Sequence, residues 1–397
     1  MDDKRERLLL ASSLAFYPMH WEAFRALCTS YHVQGFVITA PPPFIPSVHR
    51  QLGWVDADSA RRESFQPRIE SLPETNRAGR FAWLRDTLQQ MRPDAIWVQE
   101  EPNSRLLFDI LRIYEHDPQP RIITAACENI FTRAVPWWRR REAARLWSRL
   151  NGVAATANAS IEGLRKVGLP NAVPTLTLVA GCQSPPTDIA PLELPLARES
   201  GDFIVGFAGR IDESKGWRPL LDALAKLPPT IKLAMAGDGP DEAALRRRIE
   251  HPALAGRVTH VGVLPKRELW RFYQAVDCLV LPSLTRRKWK EQFGGVLADA
   301  MALGLPIVGS DSGSIPEVIG PAGLVTPEGN ATAIAAAIRR LYEDPALRLR
   351  CSQAGRRRFR DEFSITAYAR KLGTAMGLEP SRVSATIGAP KSVAAVA

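Results

Sequence analysis

The chain has 397 residues, of which 45% are hydrophobic and 24% are charged; this balance is typical of soluble globular proteins and excludes collagen-like, disordered and disulfide-scaffold classes. Its length predicts two domains, and no apolar stretch approaches the ~18–20 residues needed to span a bilayer. The formal charge is +10, and residues 196–397 carry +8 of it, so we expect an anionic ligand in the C-terminal half.

Short apolar runs alternate with amphipathic segments through the first half of the chain. The strand-like runs are 8–16, 35–40, 94–99, 121–126 and 152–157. The helix-like segments are 21–30, 80–90, 104–114, 138–150 and 160–167. This alternation predicts βαβ crossovers and a parallel sheet with helices on both faces.

A second series of the same kind begins near residue 202. Its predicted strands are 203–208, 231–236, 258–263, 278–281 and 306–309, and its predicted helices are 219–227, 242–250, 267–275, 297–303, 331–342 and 345–359. Four prolines in residues 183–201 indicate a linker between the two series. The sequence therefore predicts an α/β protein of two doubly wound, Rossmann-like domains facing across a cleft, with ligands beyond the carboxyl ends of the strands.

We place the domain boundaries by this rhythm and by composition. Residues 1–190 form the N-terminal domain and residues 191–363 the C-terminal domain. Residues 379–397 are small and polar, contain Pro and Gly and have no helical periodicity, so we expect a disordered tail.

The cysteines and the N-terminus favour a cytoplasmic protein. The cysteines are odd in number, scattered and without CxxC spacing, which argues against disulfides and structural zinc. The opening sequence MDDKRERLLLASS has acids before its basic residues and only a short apolar run, so it matches a signal peptide poorly.

The first motif is GFAGRIDESKG, which follows a predicted strand. Gly209 allows a ligand to approach the backbone, Arg210 offers a planar fork for phosphate oxygens, and Lys215 adds a mobile charge. The alternative is a strand-to-helix turn with two solvated cations. The spacing is not that of a Walker loop.

The second motif is EQFGG, with an acid eight positions after its glutamate. Glu291 falls in a loop at the carboxyl end of a strand, Gly294 and Gly295 lie at a helix entrance, and Asp299 is near the first turn of that helix. Carboxylates accept hydrogen bonds from sugar hydroxyls, and glycine N–H groups bind phosphate or hydroxyl oxygens. The alternative is a helix N-terminus whose acids favour the helix dipole.

A third segment, AMAGDGP, joins a strand to an acidic helix start. It includes Gly237 and needs no ligand to explain it.

The three motifs, in their order and spacing along the chain, resemble the family 4 (group 1) nucleotide-sugar glycosyltransferases of the GT-B fold. The resemblance covers residues 203–363 through GFAGRIDESKGW, MAGDGP, LVLPS, EQFGGVLADAMALGLPIVGSDSGSIPEVIG and AGLVTPEG. The N-terminal half is similar only in its strand–helix rhythm. The resemblance implies an N-terminal acceptor domain, a C-terminal nucleotide-sugar donor domain and a helix at 364–378 that crosses back to the N-terminal domain.

The resemblance also implies roles for the motif residues. Arg210 and Lys215 would bind the donor diphosphate, Glu291 the donor sugar, and Asp299 the ribose hydroxyls, although aspartate here is about 1.5 Å shorter than the family's glutamate. The implied catalytic residues are Glu291, Arg210 and Lys215, and the implied donor-binding residues are Gly209, Arg210, Lys215, Gly237, Glu291, Phe293, Gly294, Gly295 and Asp299. No metal or other cofactor is implied, and there is no DxD-type aspartate pair at a strand end.

The N-terminal half departs from the family's pattern. Relatives carry a paired-glycine loop after the first strand, whereas residues 15–20 here read AFYPMH. The family's catalytic-site histidine has no assigned equivalent. The strand ends QEEPN (99–103) and ACEN (126–129) offer acids instead, so the acceptor-side candidates are His20, Glu100, Glu101 and Glu128. Each acid has the alternative of being a solvated loop residue.

Two basic, aromatic clusters remain. WWRRR at 137–141, continued by Arg145, Trp147 and Arg149, suits an anionic membrane surface, with the alternative that the tryptophans pack in the core and the arginines stay solvated. RRKWK at 286–290 directly precedes Glu291 and is expected to border the donor pocket. Nucleic acid is not an expected partner, since no recognition module is present.

The motifs and the resemblance together predict a glycosyltransferase, and the resemblance implies that it retains the anomeric configuration. It would move a hexose-like sugar from a nucleoside diphosphate to a hydroxyl of a carbohydrate or lipid-linked acceptor, in polysaccharide or glycoconjugate biosynthesis. The alternatives are a nucleotide-sugar epimerase and a non-catalytic, membrane-associated scaffold of the same fold. The sequence does not specify the base, the sugar, the acceptor or the oligomeric state.

Overall fold

The computed structural model describes residues 5–12, 18–39, 67–128, 135–178 and 181–381, and the elements are numbered over these residues. The strands are β1 Glu6–Ala11, β2 Val33–Thr39, β3 Arg68–Ser71, β4 Ala95–Val98, β5 Arg121–Ala126, β6 Gly152–Ala155, β7 Thr175–Thr177, β8 Phe203–Ala208, β9 Ile231–Ala236, β10 Val258–His260, β11 Cys278–Leu281, β12 Ile307–Ser310 and β13 Gly323–Thr326. The helices are α1 Pro18–Ser30, α2 Arg77–Met91, α3 Arg105–Ile113, α4 Arg140–Trp147, α5 Asn158–Val167, α6 Trp217–Leu224, α7 Glu242–Ile249, α8 Lys266–Gln274, α9 Gly295–Leu303, α10 Ile315–Ile319, α11 Ala331–Glu343, α12 Pro345–Arg358 and α13 Ile365–Ala375.

The strands form two parallel sheets. In the described residues the first sheet has seven strands in the order β3-β2-β1-β4-β5-β6-β7, and the second has six in the order β10-β9-β8-β11-β12-β13. In each sheet the first strand along the chain lies inside, and later strands add first on one side and then on the other, which is the doubly wound arrangement. The predicted fold class is confirmed.

The winding of the second sheet creates a crevice between two neighbouring strands. β8 pairs with β11, with Cys278 opposite Val205 and Leu279 opposite Gly206. After β8 the chain continues to β9 on one side of this pair, and after β11 it continues to β12 on the other side. The loops that follow β8 and β11 therefore begin side by side. These loops carry the first and second motifs.

Alternation along the strands explains why both faces of each sheet are covered. In β1, Leu9 belongs to one buried cluster with Ile96, whereas Leu8 and Leu10 belong to another with Trp97. Successive side chains of a strand point to opposite faces, so a strand that is apolar throughout needs a helical layer on each side.

Helix α13 packs on the first sheet although it follows the second series of elements. Its Tyr368 and Leu372 lie in the same buried cluster as Leu8 and Trp21. Gly373 lies flat against Tyr31, since a Cβ at this position would be 2.1 Å from Cζ of the ring. The C-terminal end of the described chain is thereby fixed to the first sheet.

The WWRRR segment divides between surface and core. It forms a short 3₁₀ turn, Trp137–Arg139, that leads into α4. Trp147 is fully buried and its Nε1 donates to the carbonyl of Pro102 at 2.8 Å, but Trp137 and Trp138 are 77% and 66% exposed. The interpretation that these tryptophans pack in the core is therefore wrong for Trp137 and Trp138, because the 3₁₀ turn that contains them buries none of its residues.

Residues 183–201 contain no helix or strand, and β8 begins after them. The predicted tail, from residue 382 onward, lies outside the described residues. The five cysteines carry thiols, with none in a disulfide bond. No helix in the described part of the chain is both long enough and apolar enough to cross a bilayer.

Candidate active site

Two opposite charges meet where the loops after β8 and β11 lie side by side. Nζ of Lys215 lies 2.8 Å from Oε2 of Glu291, and the two side chains are only 18% and 8% exposed. Lys215 belongs to a 3₁₀ turn after β8, and Glu291 to the loop after β11. The structure thus joins the predicted cation of the first motif to the predicted acid of the second.

The Glu291 carboxylate is held from more than one direction. Ser283, just beyond β11, donates its hydroxyl to the same Oε2 at 2.8 Å, and Ser314 N–H donates to the Glu291 carbonyl at 3.1 Å. Gly313, with φ +57°, permits this approach, since a Cβ there would be 2.0 Å from the Glu291 carbonyl oxygen. A buried carboxylate with these partners is a fixed acceptor on a rigid loop.

Lys215 also lies over the Trp289 ring, with Nζ 4.4 Å from the ring centroid. An ammonium on the face of an indole is attracted by the ring quadrupole. Trp289 belongs to the basic cluster at 286–290, and Arg286 of that cluster lies 3.3 Å from the Glu213 carboxylate. The cluster therefore reaches the 3₁₀ turn that holds Lys215.

Arg210 is the exposed cation of this site. Its side chain is 64% exposed and lies 3.0 Å from the Asp212 carboxylate, which is 20% exposed. Asp212 also accepts the N–H of Ser214 at 2.9 Å and so caps the turn of Lys215. An exposed guanidinium oriented by one carboxylate keeps donors for an anion in the cleft.

Two glycines bring the ends of β8 and β9 together. Gly237 has φ +131°, and a Cβ there would be 1.9 Å from the carbonyl oxygen of Gly209. Gly237 N–H donates to the Gly262 carbonyl at 2.7 Å, and Gly209 N–H donates to the Ala236 carbonyl at 3.0 Å. A larger residue at 237 would push these loops apart, so the structural interpretation of the third segment accounts for Gly237.

The N-terminus of α9 opens toward the same place. Gly294 precedes it with φ +73°, and nothing lies within 4 Å of a Cβ placed on Gly295. The first turn of a helix leaves N–H groups without intrahelical acceptors, and they attract anions. Phe293 packs edge-on to Phe363, with centroids 5.5 Å apart, and fixes this entrance.

Asp299 does not face open solvent. It is 5% exposed, and both of its oxygens accept from Nζ of Lys266, at 2.6 and 2.7 Å. Burial raises the pKa of the Asp299 carboxyl, and the Lys266 ammonium opposes that rise. Lys266 is 36% exposed and lies over the Trp270 ring at 5.2 Å, so it is the exposed part of this pair.

The acceptor-side candidates divide between a histidine near β4 and a pair of loops. The Gln99 side-chain amide donates to Nδ1 of His20, and burial lowers the pKa of His20 to about 4, so its ring is neutral at pH 7. The Glu100 carbonyl accepts the hydroxyl of Thr124 at 3.0 Å. Residues 13–17 and Asn129 of the predicted segments lie outside the described residues.

Glu101 connects the loops after β4 and β5. Its Oε1 accepts the N–H groups of Cys127 at 2.8 Å and of Glu128 at 3.0 Å. Burial raises the pKa of the Glu101 carboxyl to about 7, and the neighbouring acids Glu128 and Glu100 add to the rise. Two candidates of the sequence analysis, Glu101 and Glu128, therefore lie together.

The two halves of the molecule are in contact through α5 and α10. Asn158 N–H, at the start of α5, donates to the Glu317 carboxylate at 3.0 Å. Glu317 belongs to α10, in the second half of the chain.

Ser283, Trp289 and Lys266 are contacts of the site that the sequence analysis did not single out. Ser283 and Trp289 stand in segments that it quoted, at a strand end and beside Glu291. Lys266 follows Pro265 at the start of the helix after β10, so its place at the carboxyl end of a strand was the available signal. Among the described residues, no group of three or more His, Cys, Asp or Glu is arranged to hold a metal ion.

A protein-family model matches the part of the chain that forms the second sheet and its loops. Residues 194–358 match the family model described as glycosyl transferases group 1. These residues are therefore similar to group 1 glycosyltransferases. The matched segment contains Arg210, Lys215, Glu291 and Asp299.

Two curated relatives of the chain are named glycosyltransferases. The chain is 28% identical over 255 residues to a 2-deoxystreptamine glucosyltransferase of Streptomyces kanamyceticus, covering 62% of this chain and 64% of the relative. It is 34% identical over 169 residues to the amylovoran biosynthesis glycosyltransferase AmsK of Erwinia amylovora, covering 41% of this chain and 42% of the relative. The chain thus spans less than two thirds of the length of these relatives.

A solved structure matches nearly the whole fold. Anabaena Alr3699/HepE in complex with UDP superposes with a TM-score of 0.70 at 18% identity, covering 94% of this chain and 99% of that one. The same protein has been solved in complex with UDP-glucose. At this identity the likeness establishes the GT-B fold alone, over both halves of the chain.

Proposed function

We propose that the protein is a retaining glycosyltransferase that moves a hexose-like sugar from a nucleoside diphosphate to an acceptor hydroxyl. The observation that carries the proposal is the Lys215–Glu291 pair beside the exposed Arg210, at the carboxyl edge of the second sheet. A sugar diphosphate needs both cations for its phosphates and an acceptor for its hydroxyls, and these groups offer both.

Arg210 and Lys215 bind the donor diphosphate in this proposal. Lys215 donates one ammonium hydrogen to Glu291 and has others to donate to a phosphate oxygen. Charge builds up on the leaving diphosphate as the glycosidic bond breaks, so fixed cations and the N-terminus of α9 stabilise the transition state more than the ground state. Gly294 and Gly295 let the phosphates approach that N-terminus.

Glu291 orients the donor sugar. Ser283 and Lys215 both donate to its Oε2 and fix the carboxylate as a positioned acceptor for sugar hydroxyls. Fixing the sugar relative to the diphosphate aligns the bond that breaks. Glu291 takes no covalent role, because its burial and contacts make it a positioned acceptor.

Asp299 and Lys266 together form the ribose side of the pocket. Asp299 alone is 5% exposed, so the exposed Lys266 ammonium meets the nucleotide first. The ribose hydroxyls reach the carboxylate where Lys266 moves aside. Phe293 and Gly237 shape the entrance and the loop spacing, as their contacts indicate.

The acceptor lies against the first half of the chain in this proposal. His20, Glu100, Glu101 and Glu128 follow strands β1, β4 and β5 at the carboxyl edge that faces the cleft. The relatives named for 2-deoxystreptamine glucosylation and amylovoran biosynthesis support a place in polysaccharide or glycoconjugate synthesis, with a carbohydrate or lipid-linked acceptor. The scattered thiols support a cytoplasmic location.

A donor-hydrolysis screen tests the proposal. The purified protein is incubated with UDP-, GDP- and ADP-sugars, and nucleoside diphosphate release is measured with and without sugar acceptors. We expect one donor to be consumed, and Glu291→Gln to lower that rate by roughly 100-fold, as for the loss of a transition-state contact. NMR of the product then gives the anomeric configuration, for which we predict retention.

Glu242→Gln is the matched control, because Glu242 is a surface acid in the same domain, paired with Arg246. It is expected to leave the rate unchanged. Consumption of no donor in the panel, by a protein that is folded by circular dichroism, would support the non-catalytic scaffold instead.

A further inference from the structure

The turn Trp137–Arg139 presents two indole rings to solvent side by side. Trp137 and Trp138 are 77% and 66% exposed, with ring centroids 6.1 Å apart and planes nearly perpendicular. The other large apolar side chains exposed in the described residues are Val263, Val325 and Leu349, all in the second half. Two adjacent exposed tryptophans are unusual for a surface that contacts water alone.

The turn that contains the two indoles leads directly into a firmly packed helix. Helix α4 buries Ala143, Leu146 and Trp147 against the first sheet, and the Trp147 indole donates to a backbone carbonyl. The helix therefore has an inner side in the core and an outer side in solvent. A rigid base means that the exposed rings need little ordering when they meet a partner.

Arginines surround the two rings. Residues 136–149 contain five arginines and one glutamate. Arg139 and Arg141 are exposed, and Arg145 contacts Glu115 while remaining 55% exposed. Among the described carboxylates, none pairs with Arg141, and Glu142 lies 3.8 Å from Arg139. The surface is consequently cationic as well as aromatic.

We propose that this Trp-Arg surface, formed by Trp137, Trp138, Arg139, Arg141 and Arg145, docks on an anionic lipid bilayer. Indoles favour the boundary between headgroups and acyl chains, where the ring is in an apolar layer and the N–H meets water. Arginines at the same level attract anionic headgroups.

A bilayer fits this surface better than a protein partner does. A stable protein interface covers about 800 Å² on each side, whereas two indoles bury roughly 150–250 Å² each. Shallow insertion of a few aromatic side chains, helped by cations, is by contrast sufficient for reversible membrane binding. The protein binds peripherally and is released by salt.

Docking has a consequence that rests on the proposed function. In chain order the turn follows the carboxyl end of β5, the strand whose loop carries Glu128. A docked enzyme would hold its acceptor side close to the lipid headgroups. The acceptor class that suits this placement is a lipid-linked sugar.

Vesicle flotation tests the docking. The full chain is mixed with phosphatidylcholine vesicles or with vesicles containing 30% phosphatidylglycerol, at 50 mM and 500 mM NaCl. We expect flotation with the anionic vesicles at low salt, and loss at high salt. Trp137→Ser/Trp138→Ser is expected to lower the partition coefficient at least tenfold, and Arg139→Gln/Arg141→Gln about fivefold per arginine at low salt.

The matched control is Leu349→Ser/Arg350→Gln, which removes an exposed apolar side chain and an exposed cation from α12. It is expected to float like the parent. Flotation of the Trp137/Trp138 variant at the parent's level would overturn the proposal. So would absence of parent flotation, and in that case a concentration-dependent dimer lost in the same variant would assign the surface to a second copy of the chain.

Binding of a nucleotide sugar is measured on the same variants. All are expected to bind the donor like the parent, because the surface lies outside the donor site. A protein that floats but binds no donor would keep the docking and reject the proposed function, and the reverse result would do the opposite.

Discussion

Glu291 and Asp299 are buried carboxylates eight positions apart, yet their surroundings give them different uses. Glu291 shares one oxygen between Lys215 and Ser283 and lies beside the exposed Arg210. Asp299 has both oxygens on Lys266. Glu291 is thus held at one oxygen by a cation and a hydroxyl, whereas Asp299 is held at both oxygens by a single cation.

The Lys266–Asp299 pair yields a stability prediction. Lys266→Met removes the cation and leaves the Asp299 carboxylate buried without compensation. Loss of one partner of a buried pair costs about 3–5 kcal/mol, and because Lys266 is 36% exposed we expect a smaller loss, about 2 kcal/mol, in the free energy of unfolding. Urea denaturation measures it.

Two further variants make the result specific. Lys266→Met/Asp299→Asn removes both charges and is expected to recover most of the lost stability, because no uncompensated charge remains. Lys226→Met removes an exposed lysine of the same domain and is expected to change little. Equal destabilisation in the single and the double variant would show that the loss of unfolding free energy does not come from leaving the Asp299 charge uncompensated.

The sequence predicts the two ends of the Lys215–Glu291 contact but not its surroundings. Both residues follow strands of one parallel sheet, and the carboxyl ends of such strands lie at one edge. Lys266 and Asp299, by contrast, are 33 positions apart on two helices, and their contact depends on how those helices pack. No local pattern carries that information.

At the scale of elements, Glu101 connects the loops after β4 and β5. Oε1 of Glu101 accepts two backbone N–H groups, while Oε2 is buried without a hydrogen-bond partner among the described residues. Such an oxygen favours the protonated acid, which agrees with the pKa of about 7. The connection between the two loops therefore depends on pH.

Glu101→Gln tests this dependence. The folded pKa of about 7 lies above the ordinary value of 4.5, so Glu101 contributes stability that is fully present below pH 4.5 and is lost as the pH rises through 7. Glutamine keeps the acceptor oxygen and does not titrate. The unfolding free energy of the parent relative to the variant should rise by up to about 3 kcal/mol between pH 8 and pH 4.5.

His20 titrates in the opposite sense, and it is present in both the parent and the Glu101→Gln variant. Its pKa falls from 6.5 to about 4 on folding, so its contribution is lost as the pH drops below 6.5. The comparison of parent and variant cancels this contribution. Chemical denaturation at several pH values gives the difference, and a difference that does not change with pH would contradict the shifted pKa of Glu101.

The strands that the sequence analysis missed share a place in the fold. β3, β7 and β13 each lie at the end of a sheet. Their residues are partly exposed, as in RIES and TLT, whereas an inner strand such as β8 is buried throughout. These three strands lack the continuous apolar run that marks a buried parallel strand, so composition did not predict them, although it did predict β10 at the other end of the second sheet.

At the scale of the molecule, the two sheets are connected at more than the linker. Helix α13 returns to the first sheet, and Asn158 N–H donates to Glu317 across the cleft. A cleft bordered by two domains can close over a donor and exclude water that would hydrolyse it. The domain boundaries at residues 190 and 363 remain predictions.

The positive charge of the chain is also divided between its two halves. Most of the net positive charge lies in the second half, which carries Arg210 and Lys215, and the Trp-Arg surface supplies a separate basic region in the first half. The sequence predicts both regions. It does not predict that Trp137 and Trp138 are exposed while Trp147 is buried, because that division depends on how the 3₁₀ turn and α4 lie relative to the sheet.

Calorimetric titration with UDP-, GDP- and ADP-sugars tests the central claim, that Arg210 and Lys215 bind the donor diphosphate. We predict that the parent binds at least one of these donors and that Arg210→Ala and Lys215→Ala each weaken binding about tenfold or more, the effect expected for loss of a charge-assisted contact. Arg246→Ala, which removes an equally exposed arginine at 63%, should bind like the parent. Binding of both Arg210→Ala and Lys215→Ala at the parent's affinity would contradict the account.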